Sequence, residues 1–201
     1  MSSQLILASG SPRRLVLMER FGIVCTVIPA DIDETPHLNE PADRYVERLA
    51  LEKALAVRDR FEELERGGIA VLAADTTVAV DGHILGKPAD ADDAIRTLTL
   101  LSGRSHQVYT GIAVASRSGL HHRVVTSNVT MATLDPAVIA WYVGTGEPFD
   151  KAGSYAIQER AAAFVSAVDG SMDNVVGLPM IETIALLELA GIGVSYRSPV
   201  L

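Results

Sequence analysis

Two arginines follow a run of small residues near the start of the chain. Residues 9–14 read SGSPRR, after an apolar run that predicts a buried strand and before a pattern that predicts a helix from Pro12. A helix N-terminus offers free backbone N–H groups, and guanidinium groups add positive charge and paired donors. The segment could therefore bind phosphate, although an ordinary turn with two solvated arginines would have the same sequence.

A second candidate is Asp75, which comes directly after the apolar run Ile69–Ala74. The run predicts a parallel-sheet strand that ends at Asp75 and Thr76, and the edge of such a sheet is where open α/β folds bind ligands. There the carboxylate could hold a divalent metal or accept a proton from water. Aspartate and threonine also cap turns and helices, so the residues alone leave both interpretations open.

Other charged residues are weaker candidates. The chain has three lysines, at positions 53, 87 and 151, and Lys87 follows a predicted hairpin. Glu34 lies in an acidic loop, residues 31–39, and could supply a metal ligand. A solvated position on the surface would explain any one of these side chains as well.

The elements that must position these residues alternate between strand and helix in the first half, and hairpins dominate the middle. Strands are expected over residues 4–8, 24–28, 69–74, 105–115 and 123–134, in a hairpin over 77–85, and near the C-terminus. Helices are expected over residues 12–21, from 41 to the glycines at 67 and 68, over 90–102, from 135, and over 179–190. This mixture predicts the α/β class, with a mixed twisted sheet and a ligand cleft between two lobes.

Composition narrows the class of protein. The 201 residues, 48% of them hydrophobic, fit one domain over 1–201 with a substantial core. The net charge of −8 disfavours binding to nucleic acid or to anionic membranes. The single cysteine cannot form an internal disulfide, and we expect neither a signal peptide nor a membrane span. A cytoplasmic location is therefore expected.

Five segments together resemble the Maf family of nucleoside triphosphate pyrophosphatases. They occur in that family's order and spacing, and the resemblance runs from Leu5 to about Val194. The segments are LILASGSPRR, AADTTVAVDGHILGKP, SHQVYTG, DKAGSYAIQ and GSMDNVVGLP.

The resemblance implies an elongated two-lobed molecule with a central cleft, similar to Maf proteins and inosine triphosphate pyrophosphatases. It also implies hydrolysis of a nucleoside triphosphate between the α- and β-phosphates, with Mg²⁺ or Mn²⁺. Asp75 matches the family's catalytic aspartate, which would also hold metal together with Glu34. The phosphate-binding residues that the resemblance implies are Ser9, Arg13, Lys53 and Lys87.

Three further matches concern the choice of substrate. Arg14, Thr76 and Gln158 match the Maf group that resembles dTTP/UTP pyrophosphatases, and a glutamine amide can pair with the edge of uracil or thymine. We therefore expect dTTP, UTP and modified pyrimidine triphosphates as substrates in nucleotide-pool housekeeping. The alternatives are a 7-methyl-GTP pyrophosphatase of the same family and a nucleotide-binding regulator of septum formation in cell division. A nucleoside triphosphate is the expected partner, and a homodimer is possible.

Overall fold

A mixed seven-stranded sheet runs through the part of the chain that the computed structural model describes, residues 4–61 and 68–193. Its strands are β1 (Gln4–Leu7), β2 (Thr26–Val27), β3 (Ile69–Val80), β4 (His83–Leu85), β5 (Ser105–Ser116), β6 (Gly119–Met131) and β7 (Val165–Asp169). The strand order is β2-β1-β3-β5-β6-β7, with β4 also paired to β3. The pairs β1–β2 and β1–β3 are parallel and the others are antiparallel. The α/β class with a mixed sheet is confirmed.

Helices cover both faces of this sheet. They are α1 (Pro12–Arg20), α2 (Ala42–Arg58), α3 (Ala91–Leu101), α4 (Pro136–Gly144), α5 (Met172–Val176) and α6 (Met180–Leu189). Local chemistry fixes two of their starts, because the side chains of Asp90 and Asp135 accept hydrogen bonds from the first-turn amides. None of the helices within residues 4–61 and 68–193 is long and apolar enough to cross a membrane. Helix α2 ends at Arg58, so the expectation that it continues to the glycines at 67 and 68 is wrong. Asp59 and Arg60 form a turn, and the amide of Arg60 bonds the carbonyl of Val57, three residues back. The expected C-terminal strand falls mainly on residues outside the described ranges.

Strand β3 is longer than the sequence suggests. It continues for 12 residues through Asp75, which pairs with Gly111 of β5 near the middle of the strand. The expectation that the strand ends at Asp75 and Thr76 is therefore wrong. Antiparallel pairing with β5 extends the strand, and that pairing joins residues from 28 positions apart (Ala79 and Gln107) to 44 positions apart (Val71 and Ala115). The hairpin at Asp81 and Gly82 is confirmed, since both residues have positive φ as a type I′ turn requires.

The other side of β3 is only partly paired. Strand β1 ends opposite Leu72, and β4 begins opposite Val80 and ends opposite Val78. Among the described strands, none pairs with residues 73–77 on this side. The chain leaving β1 turns into α1 at this gap, so the N-terminus of α1 and the middle of β3 face a common space.

Three hydrophobic cores pack against the sheet. One lies between α1, α6 and the half of β3 that pairs with β1, and a second lies between α3, α4 and the other half of β3. Both cores use even-numbered residues of β3 and therefore share one face, with Thr76 between them. The third core packs α2 on the opposite face, which also carries Asp75. On this face of the sheet, one core therefore lies on either side of Thr76.

Candidate active site

A cavity of about 630 Å³ opens at the gap beside β3. Its volume lies in the range typical of small-molecule sites. Every residue that the sequence analysis singled out for the site lines it: Ser9, Arg13, Arg14, Glu34, Lys53, Asp75, Thr76, Lys87 and Gln158. The fold therefore brings together side chains that lie up to 149 positions apart in the sequence.

One lysine contacts both acidic candidates. Lys53 projects from α2, is only 7% exposed, and places Nζ 2.7 Å from Oδ1 of Asp75 and 2.6 Å from Oε1 of Glu34. Asp75 is likewise buried, whereas about half of the Glu34 side chain is exposed. A buried ion pair is costly to break, because removal of either partner leaves an uncompensated charge. The lysine thus holds two carboxylates together on the cavity wall.

Helix α2 also holds the loop that carries Glu34. The hydroxyl of Tyr45 donates to the backbone carbonyl of Glu34 at 2.9 Å, and Arg48 donates to the carbonyl of Thr35. Arg48 also forms two hydrogen bonds with Glu40, which lower the pKa of that carboxyl to about 2. Burial, with added effects of Asp75 and Glu34, raises the pKa of Tyr45 to about 12, so its hydroxyl remains a donor near neutral pH.

The segment before α1 forms the opposite wall. Ser11 is the N-cap residue of α1 and its side chain makes no capping bond, so backbone N–H groups of the first turn remain available to a ligand. The hydroxyl of Ser9 accepts hydrogen bonds from the amide of Ser11 and from Arg14. Arg13 is partly exposed, and its guanidinium lies 3.6 Å from the carboxylate of Asp150.

Arg14 differs from its neighbour in environment. Its side chain is buried and donates to the hydroxyl of Ser9, the hydroxyl of Thr76 and the carbonyl of Gly177. Burial lowers the pKa of the guanidinium, and the nearby charge of Asp75 opposes that shift. From the sequence both arginines are possible phosphate ligands, but all three guanidinium nitrogen atoms of Arg14 donate hydrogen bonds to protein oxygens. It influences the cavity through Ser9 and Thr76.

A polar network behind Thr76 was not predicted from the sequence. The hydroxyl of Thr76 hydrogen-bonds that of Thr110, which donates to the carbonyl of Asn174. Asn174 is fully buried, and Gly177 adopts a φ of +119°, where a Cβ would lie 3.2 Å from the Thr76 hydroxyl. The motif GSMDNVVGLP contains both residues. Their buried contacts could not be read from it.

The far wall of the cavity consists of residues 150–158. The amide of Gly153 donates to the carbonyl of Gly86, which joins this segment to the turn that carries Lys87. Tyr155 hydrogen-bonds His106, a buried histidine whose pKa burial lowers to about 4 and which is therefore neutral at pH 7. Gln158 follows on the exposed end of this segment.

Comparison with known proteins identifies the family of this chain. The family model described as Maf-like protein matches residues 4–190. This chain belongs to the Maf family. A dTTP/UTP pyrophosphatase of Myxococcus xanthus is 52% identical over 96% of both chains, and one of Colwellia psychrerythraea is 50% identical over 94% of this chain and 90% of that one. The resemblance on which the sequence analysis relied is thereby confirmed.

A more distant similarity exists among solved structures. A nucleoside-triphosphatase / dITP/XTP pyrophosphatase from Mycobacterium abscessus aligns with 65% of this Maf chain and 75% of its own, at 18% identity and a TM-score of 0.38. Similarity at that level is too weak to support an argument.

The carboxylates of this Maf protein fit a divalent cation. Within residues 4–61 and 68–193, no three His, Cys, Asp or Glu side chains are close enough to form a metal site by themselves. Mg²⁺ commonly binds one or two carboxylates and takes its other oxygen ligands from water and substrate phosphates. Glu34 and Asp75, held on the cavity wall by Lys53, match that donor set.

Proposed function

We propose that this protein hydrolyses nucleoside triphosphates between the α- and β-phosphates, releasing a nucleoside monophosphate and pyrophosphate, and that it prefers dTTP and UTP. Relatives about 50% identical over nearly the whole chain carry the name dTTP/UTP pyrophosphatase. One structural observation supports the chemistry most directly. A buried carboxylate, its lysine partner and an open helix N-terminus line the same cavity.

Asp75 would act on the attacking water. Its carboxylate lies on the cavity wall in an ion pair with Lys53, which fixes one of its oxygens. The other oxygen could accept a proton from a water molecule as that water attacks phosphorus. The new bond from water to the α-phosphorus forms as the bond from that phosphorus to the bridging oxygen breaks, and pyrophosphate leaves as an anion without a proton from the protein. Asp75 then releases the proton to solvent, which restores the carboxylate.

Positive groups on three walls would stabilise the charge that develops on the phosphates. They are the α1 N-terminus with Arg13, Lys53 from α2, and Lys87 after β4. Such groups are effective because they are already in place before charge builds up on the leaving pyrophosphate. Ser9, in the segment between β1 and α1, adds a hydroxyl to the cavity lining.

Glu34 and Asp75 would hold the divalent cation, which when bound neutralises phosphate charge and favours ionisation of water. We expect Glu34→Gln to raise the dissociation constant for Mn²⁺ at least about tenfold. Mutating a residue that only orients a metal ligand typically weakens metal binding by about that factor, and loss of the ligand itself should weaken it no less. Electron paramagnetic resonance of free Mn²⁺, with a non-hydrolysable UTP analogue present, measures this without turnover. Asp33→Asn, on the same loop but outside the cavity lining, is the control. Equal Mn²⁺ affinity in Glu34→Gln and wild type would remove Glu34 from the metal site.

Gln158 is exposed and lines the cavity, so its amide would be available to the base. Its amide can donate to O4 and accept from N3–H of uracil or thymine, whereas Arg14 and Thr76 are tied into the protein behind it. We expect Gln158→Ala to lower kcat/KM for UTP and dTTP about tenfold, and to change that for CTP and GTP much less. A change equal for all four nucleotides would contradict this assignment of specificity.

The function itself is tested by pyrophosphate release from dTTP, UTP, CTP, GTP and 7-methyl-GTP with Mg²⁺ or Mn²⁺. Preference for dTTP and UTP is the expected result. Preference for 7-methyl-GTP would retain the chemistry and reject the specificity, and tight binding without release would favour the regulator. Because the expected substrates are free nucleotides, we propose that the enzyme removes non-standard or surplus nucleotides from the nucleotide pool of the cytoplasm.

A further inference from the structure

The third lysine of the chain, Lys151, has no role in the scheme above. It is 6% exposed and lines the cavity from the segment 150–158, opposite the N-terminus of α1. Its Nζ donates to the carbonyl of Glu147 at 2.7 Å and to Oδ1 of Asp150 at 2.6 Å. A lysine is rarely buried unless its charge is paired, so its position requires an explanation.

The carboxylate of Asp150 lies between two cations. One oxygen contacts Lys151, and the other lies 3.6 Å from Nη1 of Arg13 on the opposite wall. The Asp150 side chain is 69% exposed, whereas Lys151 is buried and donates to the backbone carbonyl of Glu147. The lowered pKa of Asp150 reflects its hydrogen bond and ion pairs with these two cations, which outweigh the opposing effect of burial.

An oxyanion thus bridges a lysine and an arginine across the cavity. A phosphate group has the same charge-bearing oxygens and carries more negative charge, so it is a stronger partner for the same two cations. Lys151 and Arg13 line the same cavity as Lys53 and Lys87. A triphosphate held by Lys53 and Lys87 would therefore share this cavity with the pair.

We propose that Lys151 and Arg13 bind the terminal phosphate of the triphosphate and that Asp150 occupies this position until nucleotide displaces it. This inference rests on the proposed function and adds a ligand for the leaving pyrophosphate. Lys151 would then distinguish triphosphates and pyrophosphate from monophosphates. Asp150 would weaken the binding of triphosphates and of pyrophosphate, because its carboxylate competes for the same two cations.

The test is calorimetric titration of pyrophosphate and of UMP, in Mg²⁺ buffer, into wild type, Lys151→Gln and Asp150→Asn. Lys151→Gln is expected to raise the pyrophosphate dissociation constant at least about tenfold and to leave that of UMP nearly unchanged. Asp150→Asn is expected to lower the pyrophosphate dissociation constant by about threefold, because the competing charge is lost.

Arg160→Gln is the matched control. Arg160 pairs with Glu147 in the same cluster but does not line the cavity. It should leave both dissociation constants unchanged, and thermal unfolding would verify that all variants are folded. A purely structural role of Lys151 predicts equal losses for pyrophosphate and UMP.

Four results would overturn the proposal. They are unchanged pyrophosphate binding in Lys151→Gln, equal losses for pyrophosphate and UMP in that variant, weaker pyrophosphate binding in Asp150→Asn, and no pyrophosphate binding to the wild type. Weaker binding in Asp150→Asn would instead make that carboxylate a metal ligand. Because these titrations involve no turnover, they separate this proposal from the proposed function. If the wild-type protein released pyrophosphate from none of the nucleotides, the proposed function would be rejected, even if both variants changed the pyrophosphate dissociation constant as expected.

Discussion

Replacing Asp75 by asparagine is expected to lower kcat about 10²- to 10⁴-fold while nucleotide still binds. Asparagine has the shape of aspartate, and its carbonyl oxygen can still accept the hydrogen bond from Lys53 that Oδ1 accepts now. It cannot take a proton from water at neutral pH. Pyrophosphate release measures turnover, and titration with a non-hydrolysable UTP analogue measures binding.

Asp81→Asn is the matched control for this change. Asp81 lies at the end of the same strand, pairs with Arg104 at the surface and does not line the cavity. Its positive φ of 52° suits asparagine as well as aspartate, so both stability and turnover should be retained. Near-normal turnover in Asp75→Asn would reject Asp75 as the catalytic base. A division phenotype that persists when turnover is lost would support the nucleotide-binding regulator.

Substitution of Gly111 by alanine is expected to have the largest effect on stability. A Cβ at this position would lie 2.2 Å from the carbonyl oxygen of Val46 and 2.9 Å from the amide of Glu47, both in α2. These are backbone atoms, so α2 as a whole must move away from β5. We expect a loss of about 3 kcal/mol in the free energy of unfolding, at the upper end of the usual cost of overpacking. Urea denaturation measures it.

The same displacement should reach the active site. Gly111 pairs directly with Asp75, and α2 carries Lys53, so movement of α2 would lengthen the ion pair between them. The folded fraction of Gly111→Ala should therefore also lose turnover. Gly144→Ala is the control, because a Cβ there would meet no atom within 4 Å. Equal unfolding free energies for the two variants would contradict the close contact between α2 and β5.

Local chemistry explains why much of the fold could be predicted. Asp135 and Pro136 start α4, the Asp81 and Gly82 turn closes the β3–β4 hairpin, and Pro12 begins α1. Each depends on residues within about four positions, so the sequence carries the information directly. The family motifs also predicted nine residues of a site, and all nine line one cavity.

The sequence alone thus determined the class of fold and most element positions, and the nine residues that it proposes for the site line one cavity. The tertiary structure decided how those residues are used. Pairing with β5 carried β3 through Asp75, burial separated the environment of Arg14 from that of Arg13, and Asp150 met Arg13 across the cavity. Each outcome depends on partners more than thirty positions apart, and burial and ion pairing exist only after the chain has brought such partners together.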